Sequence, residues 1–237
     1  MRATSFRVRD GKVRNLAGHL ERLGLSEAES QRLRTELRQR VHDAAASGAY
    51  AINPIIWADT GSWTIDVRPD RTIKSHIIMD AHPHNDERRQ PQVKGPDLMW
   101  LSTRMNITKG RGADEGLLKA PSGRIIEGIY AHLIALHGNK VAVSTHPRTL
   151  RSITAAQVIP YLQQCGMTVV ERPEGFTLQE LHEAEVWDLN AFSGIRQVTA
   201  WAEYGDVIDV PAGRAAAAQV PTSEEVNRWL WEQADVV

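Results

Sequence analysis

The sequence predicts an α+β protein with a small N-terminal α/β domain and a larger C-terminal mixed domain. Three observations carry that reading. Strand-like runs are joined by short turns such as "DG", "PSG" and "HGNK". Amphipathic helices stand between groups of strands, and the regular strand–helix alternation of a doubly wound sheet does not recur. A length of 237 residues admits one large domain or two small ones; the predicted division is 1–82, an interdomain loop at 83–93, and 94–237.

Each element has its own signal. "TSFRVRDGKVRNL" reads as a hairpin, with Phe6 and Val8 alternating before the Asp10-Gly11 turn and Val13 on the return. "LAGHLERLGL" is a short helix with Leu16, Leu20 and Leu23 on one face. In "SEAESQRLRTELRQRVHDAAASG" the four-residue steps of Leu33, Leu37 and Val41 predict a longer helix closed by Gly48. "YAINPIIWAD", "SWTIDVRPD" and "TIKSHIIMDAH" follow as strands. The run "AHPHNDERRQPQVKGP" then loses apolar periodicity and gains prolines and charge, which marks the linker.

Beyond it, "DLMWLSTRMNITKGRG" is helical and "EGLLKAPSGRIIEGIYAHLIALHGNKVAVSTHP" a set of strands. "SITAAQVIPYLQQCGM" is a helix expected to break or bend at Pro160. "TVVERPEGF" is a strand, and "VWDLNAFSGIRQVTAW" is strand, turn, strand. Capping boxes at Thr177…Glu180 and Thr222…Glu225 start two further helices.

Composition narrows the function classes. A formal net charge of −1 without long single-sign blocks leaves no general electrostatic footprint for nucleic acid or a membrane surface. The single cysteine, Cys165, excludes an intramolecular disulfide and a multi-cysteine zinc site, and reads as a packed thiol at a helix end. "MRATSFRVRDG" lacks the apolar core of a signal peptide, so a cytoplasmic location is expected.

Lysine is scarce: arginine supplies 22 of the 28 basic residues. One of the few lysines, Lys94 in "QPQVKGPDLMW", sits between a proline-containing run and a helix start. Alone it reads as a solvated linker residue. Glu127 in "GRIIEGIY" follows two isoleucines, as a partly buried strand residue or a strand-edge one facing water. Arg22 in "HLERL" suits a surface helix, Ser152–Thr154 an ordinary helix start, and "NAFSG" a plain turn.

Taken together these segments resemble the class IV, fold-type IV pyridoxal-phosphate enzymes. That group includes branched-chain and D-amino-acid aminotransferases and aminodeoxychorismate lyase. The resemblance rests on "HLERL", "KGPDLMWLSTRMNITKGRGADEGLL", "GRIIEG", "RSITAAQVIPYLQQCGMTVVE" and "LNAFSGIRQV", in the family's order, and covers roughly residues 5–205. Lys94 precedes "GADE" by the usual interval and Glu127 follows it at the usual distance, whereas Lys109 lies too close.

The resemblance implies a two-domain, D-amino-acid-aminotransferase-like fold with pyridoxal 5'-phosphate in the cleft between the halves. Lys94 would be the Schiff-base lysine, the one side-chain type that offers a primary amine to an aldehyde. Glu127 would hold a proton on the pyridine nitrogen. Arg22, the amides of Ser152 and Ile153, and Thr154 with its hydroxyl would hold the phosphate, with Phe192 and Ser193 adding an amide and a hydroxyl. Gly95 would leave room for the ring. The implied reaction is transamination between an amino acid and a 2-keto acid in a homodimer, or pyruvate release by a lyase.

Three features depart from the family pattern. Met1 stands close to the segment matching "SFRVRDGKV", so a shortened first layer is expected. Leu98-Met99-Trp100 stands where aminotransferases of the group often carry a tyrosine, and Arg151-Ser152 replaces the proline and glycine of "PGIT". A rival from another class is a metal-dependent hydrolase using His82 and His84 with Asp80 and Asp86. A binding protein without catalysis is a further alternative.

Overall fold

The structure, a computed structural model, describes residues 1–211 and 214–237. Strands β1 (Arg2–Ser5), β2 (Val8–Arg9) and β3 (Lys12–Val13) come first. The turn between β2 and β3 has positive φ at Asp10 (50°) and Gly11 (68°), the geometry that lets a two-residue hairpin follow the strand twist. Helix α1 (Leu16–Leu23) starts at Asn15, whose side chain accepts from the Gly18 amide, and ends at Gly24 in the left-handed region. Helix α2 (Glu27–Ala46) opens with a Ser26–Glu29 capping box.

The long strand β4 (Ala51–Asp59) pairs with β5 (Ser62–Pro69) on one edge. Its other edge carries β1 and β2 in succession. Leu16, Leu20 and Leu23 of α1 and Leu33 and Leu37 of α2 pack on Phe6, Val8, Ile52 and Ile56 of this sheet. Each such burial contributes on the order of 1.5–3 kcal/mol.

The chain then enters a second layer earlier than its composition suggests. Strand β6 (His76–Asp80), expected with the N-terminal half, pairs in parallel with β14 (Gly194–Glu203) of a seven-stranded sheet. Strand β7 (His84–Asn85) lies inside the predicted linker, yet it pairs with β8 (Leu117–Lys119), which also pairs with β9 (Ile125–Gly128). Between them runs α3 (Leu98–Gly110). The central strands of the large sheet are β11 (Lys140–Ser144), β10 (His132–His137) and β13 (Glu185–Asn190), with β12 (Thr168–Arg172) at one end and β15 (Asp206–Asp209) at the other.

Helices α4 (Ala155–Gln164) and α6 (Ser223–Glu232) cover one face of this sheet through Val158, Leu162, Val226 and Leu230. The short α5 (Leu178–His182) packs Leu181 into the cluster of the other face. Both helices α5 and α6 open with the expected Thr–Glu capping boxes. The expected break at Pro160 does not occur, because Pro160 lies within α4. Burial of Val158 and Leu162 on either side of it outweighs the one backbone hydrogen bond that proline removes.

The last strand, β16 (Asp235–Val236), returns to the first sheet beside β3. Its Asp235 Oδ2 accepts from the Leu16 amide at 2.7 Å and so caps α1, the helix bearing Arg22, from the far end of the sequence. Asp235→Ala is expected to lower stability by about 1 kcal/mol in urea denaturation. An unchanged midpoint would show that this cap carries no weight.

Candidate active site

Residues of both layers line one cavity of about 550 Å³, and Lys94 and Glu127 both face it. Lys94 lies in the turn before α3, where β1 holds it: the Ala3 amide donates to the Lys94 carbonyl at 2.7 Å. Gly95 has φ +139°, and a Cβ there would stand 3.2 Å from the Met1 carbonyl oxygen and 3.3 Å from the Ala3 nitrogen. The glycine is therefore needed for contact with the β1 backbone, and it also lines the cavity.

Among the described residues the Lys94 amine has no carboxylate within ion-pair distance. Its side chain is half-buried by accessible surface because the cavity is open. Burial, followed by the charges of Arg22 and Arg68, lowers its pKa to about 8, against a partial opposing pull from Glu127. At neutral pH about a tenth is thus a free, nucleophilic amine.

Glu127, on β9, is 4% exposed. Arg88 Nη2 meets its Oε1 at 2.6 Å, and the Leu150 amide donates to both carboxylate oxygens at 3.2 Å. Burial still raises the carboxyl to about 7, against the pull of Arg88. Arg88 is fixed in turn by Asp86, through Nε at 2.7 Å and Nη2 at 3.0 Å, and Arg148 Nε reaches the same carboxylate at 2.8 Å. Burial pushes the Asp86 carboxyl up, but the hydrogen bonds from Arg88 and Arg148 hold it below the usual range. Arg88 belongs to the segment read as linker; nothing local in "NDERRQ" marks it as buried.

Arg22, in the last turn of α1, also lines the cavity and donates through Nη2 to the Arg151 carbonyl. Burial, then Arg151, lowers its pKa to about 10, so it stays charged at neutral pH. Ser152, Ile153 and Thr154 reach the same cavity ahead of α4. The Ser152 hydroxyl accepts from the Ala155 amide at 3.1 Å, while Thr154 makes no side-chain cap bond. Phe192 and Ser193 lie in the turn between β13 and β14 and line the cavity too. An amide and a hydroxyl were expected here for an anion; both backbone amides donate to Asn190 Oδ1, at 3.1 and 2.7 Å. An Asn two residues before a turn closes on the turn's own backbone, which removes both donors.

A second buried cluster stands in the cavity wall. Arg196 bridges Asp188 and Glu115, each at 2.8 Å. Burial and the neighbouring Asp188 raise Glu115 to about 7.

The rival metal set comes together only as one pair, His82 Nδ1 lying 3.3 Å from Asp80 Oδ1. Asp86 is committed to Arg88 and Arg148, and Asp80 takes Arg111 Nη1 at 3.0 Å and the His82 amide at 2.9 Å. His84 Nε2 lies 3.0 Å from the Thr108 hydroxyl. Among the described residues no cluster of three or more His, Cys, Asp or Glu side chains is arranged to hold a metal ion.

A half-buried amine without an ion pair, a buried carboxylate and a cationic helix-start cradle around one cavity make a site suited to a carbonyl-bearing, phosphorylated cofactor. The chain belongs to the amino-transferase class IV family, whose profile matches residues 3–201. The backbone resembles that of fold IV-transaminase CpuTA1 from Curtobacterium pusillum (18% identity, 98% of this chain and 84% of that one, TM-score 0.76). It also resembles a putative 4-amino-4-deoxychorismate lyase from Legionella pneumophila (19%, 89% and 85%, TM-score 0.68). A third is a branched-chain aminotransferase from Thermoproteus uzoniensis (17%, 97% and 83%, TM-score 0.71). At such identities the likeness shows the fold. No curated protein sequence matches the chain significantly.

The family's cofactor is pyridoxal 5'-phosphate, and the cavity fits it in size and donor chemistry. Its volume lies within the usual range for small-molecule sites.

The raised Glu127 carboxyl has a consequence for stability. A folded pKa of about 7 above an unfolded value near 4.5 gives stability that is complete below 4.5 and lost as pH rises through 7. Glu127→Gln is expected to flatten that loss in the cofactor-free chain by about 2–3 kcal/mol between pH 4.5 and 8. Glu115 is unchanged in both proteins, so their difference isolates Glu127. Parallel curves for the two in chemical denaturation would contradict the raised value.

Proposed function

We propose that this chain is a pyridoxal-phosphate-dependent aminotransferase that moves an amino group between an amino acid and a 2-keto acid. The observation that carries the reading is the Lys94 amine, free of any ion pair among the described residues, lining one cavity with the buried Glu127 carboxylate. When bound, pyridoxal phosphate supplies an aldehyde to receive the amino group and a ring that draws electrons from the substrate's α-carbon.

Lys94 would provide the amine that holds the cofactor and, once free of it, would take up the substrate's α-proton and give it back at Nζ. Its pKa of about 8 suits both tasks. Glu127, pinned by Arg88 and the Leu150 amide, keeps a proton at the ring nitrogen. Arg22 and the Ser152–Thr154 segment hold the phosphate. With the Phe192 and Ser193 amides engaged by Asn190, the Ser193 hydroxyl is the donor this turn adds.

The family resemblance also supports a homodimer. Met99 is 82% exposed, and Ile107 and Tyr130 are exposed with it, an apolar set that a second copy would cover.

Borohydride treatment of the cofactor-loaded protein is expected to fix the cofactor on the peptide containing Lys94. Lys94→Ala should abolish the label and lower turnover about 10²–10⁴-fold. A label that persists in the variant would end the assignment. Product analysis with an amino donor and a keto acid, against aminodeoxychorismate alone, separates transfer from pyruvate release.

A further inference from the structure

The chain also buries a cation that the reaction above leaves without a task. Arg14, in the link between β3 and α1, is 5% exposed. Burial, then the like charges of Arg7 and Arg9, lower its pKa to about 9, and among the described residues no carboxylate pairs with it. It is still a cation at neutral pH. Its Nη2 donates to the Ala191 carbonyl at 3.0 Å and to the Phe192 carbonyl at 2.8 Å. Its Nη1 is buried and has no partner among the described residues. The guanidinium carbon lies 4.6 Å from the centre of the Trp231 ring of α6, which Arg9 approaches to 4.3 Å. A charge buried in this way is destabilising unless another group offsets it.

The contacts of Arg14 and its neighbour lead to each segment assigned to the cofactor phosphate. The two carbonyls that Arg14 holds belong to the β13–β14 turn, which carries Ser193. Asn15, the N-cap of α1, donates through Nδ2 to the Ile153 carbonyl at 3.4 Å. Helix α1 itself carries Arg22. The charges share a neighbourhood as well: burial, then Arg22, Lys94 and Arg14, push the pKa of the buried His19 imidazole down. Helix α6 closes the far end of the turn, where Asn227 accepts from the Ile195 amide at 2.9 Å and donates to the Ile195 carbonyl at 2.8 Å. Gly194 has φ +83°, and a Cβ there would collide with both Arg14 Nη1 and Asn227 Oδ1. The turn is therefore fixed by Asn190 through its amides and by Arg14 and Asn227 from the other elements.

We propose that Arg14 is a positioning residue for the cofactor phosphate, holding the turn that presents the Ser193 hydroxyl and supplying a buried positive charge that the phosphate offsets. The fork of the guanidinium spans two successive carbonyls, which a single amine cannot do with the same geometry. The assignment deepens the reading of the site given above and rests on it.

Equilibrium binding of pyridoxal phosphate and of pyridoxal, which has the same aldehyde and ring without the phosphate, tests this on the full chain. Binding is followed by absorbance and by borohydride fixation, so no turnover is needed. Arg14→Gln is expected to weaken pyridoxal phosphate about tenfold or more, the scale of one charge-assisted hydrogen bond, and to leave pyridoxal affinity as it was. Arg14→Lys, which keeps the charge without the fork, should recover part of the loss. Ser193→Ala should weaken pyridoxal phosphate in the unaltered chain but add little to Arg14→Gln, because both act through the same turn. Three results would overturn the proposal: an undiminished preference for the phosphorylated ligand in Arg14→Gln, fully additive losses in the double variant, or equal losses of both ligands in Arg14→Gln and Arg14→Lys alike. The last would assign Arg14 to the fold alone. Failure of both ligands to attach to the unaltered chain would instead remove the cofactor reading itself.

Discussion

The site depends on keeping one amine away from any carboxylate that would neutralise it. Most buried lysines find an acid or reach water. Lys94 is walled by protein, flanked by the like charges of Arg22 and Arg68, and feels Glu127 only as a weaker opposing influence. That environment destabilises the ammonium form, and the fold supports it from the first strand. β1 accepts Lys94 into its hydrogen bonding through the Ala3 amide, and Gly95 allows the two backbones to meet. The connection links sequence to chemistry: a glycine at φ 139° lets the chain pass close to β1 at the residue after Lys94, whose side chain lines the cavity.

Glu127 needs the opposite treatment. Its carboxylate would be strongly disfavoured if buried alone, and the chain surrounds it with Arg88 and a backbone amide instead of water. Arg88 is itself affordable inside the protein only because Asp86 and the Arg148 carbonyl satisfy its remaining donors. The result is a chain of alternating charge from Arg148 through Asp86 and Arg88 to Glu127, in which removal of one member leaves another unpaired. Such a network favours one arrangement of the segment 84–97, the same segment that delivers Lys94.

Much of this was legible in the amino-acid order where local rules govern. Ser26–Glu29, Thr177–Glu180 and Thr222–Glu225 form capping boxes because three-residue spacing alone decides them, although only the last two were read from sequence. The Asp10-Gly11 turn and the apolar stripe of α2 followed from the same short-range physics. Lys94, Glu127, Arg22 and Ser152–Thr154 line one cavity. What escaped was non-local. The partner of β6 is more than a hundred residues away in sequence, and polar "NDERRQ" gives no sign that Asp86 and Arg88 are buried against each other. The amides of Phe192 and Ser193 looked free because the competing acceptor, Asn190, acts through a turn whose closure the sequence only permits.

The central claim is the state of a single nitrogen, and it can be observed directly. Nuclear magnetic resonance of the cofactor-free protein with isotopically labelled lysine, assigned through a Lys94→Arg variant, follows Nζ as pH is raised. The account predicts a Lys94 titration midpoint near 8. A midpoint at the ordinary value of about 10.4 would contradict it, because the amine would then be a solvated ammonium with no special reactivity.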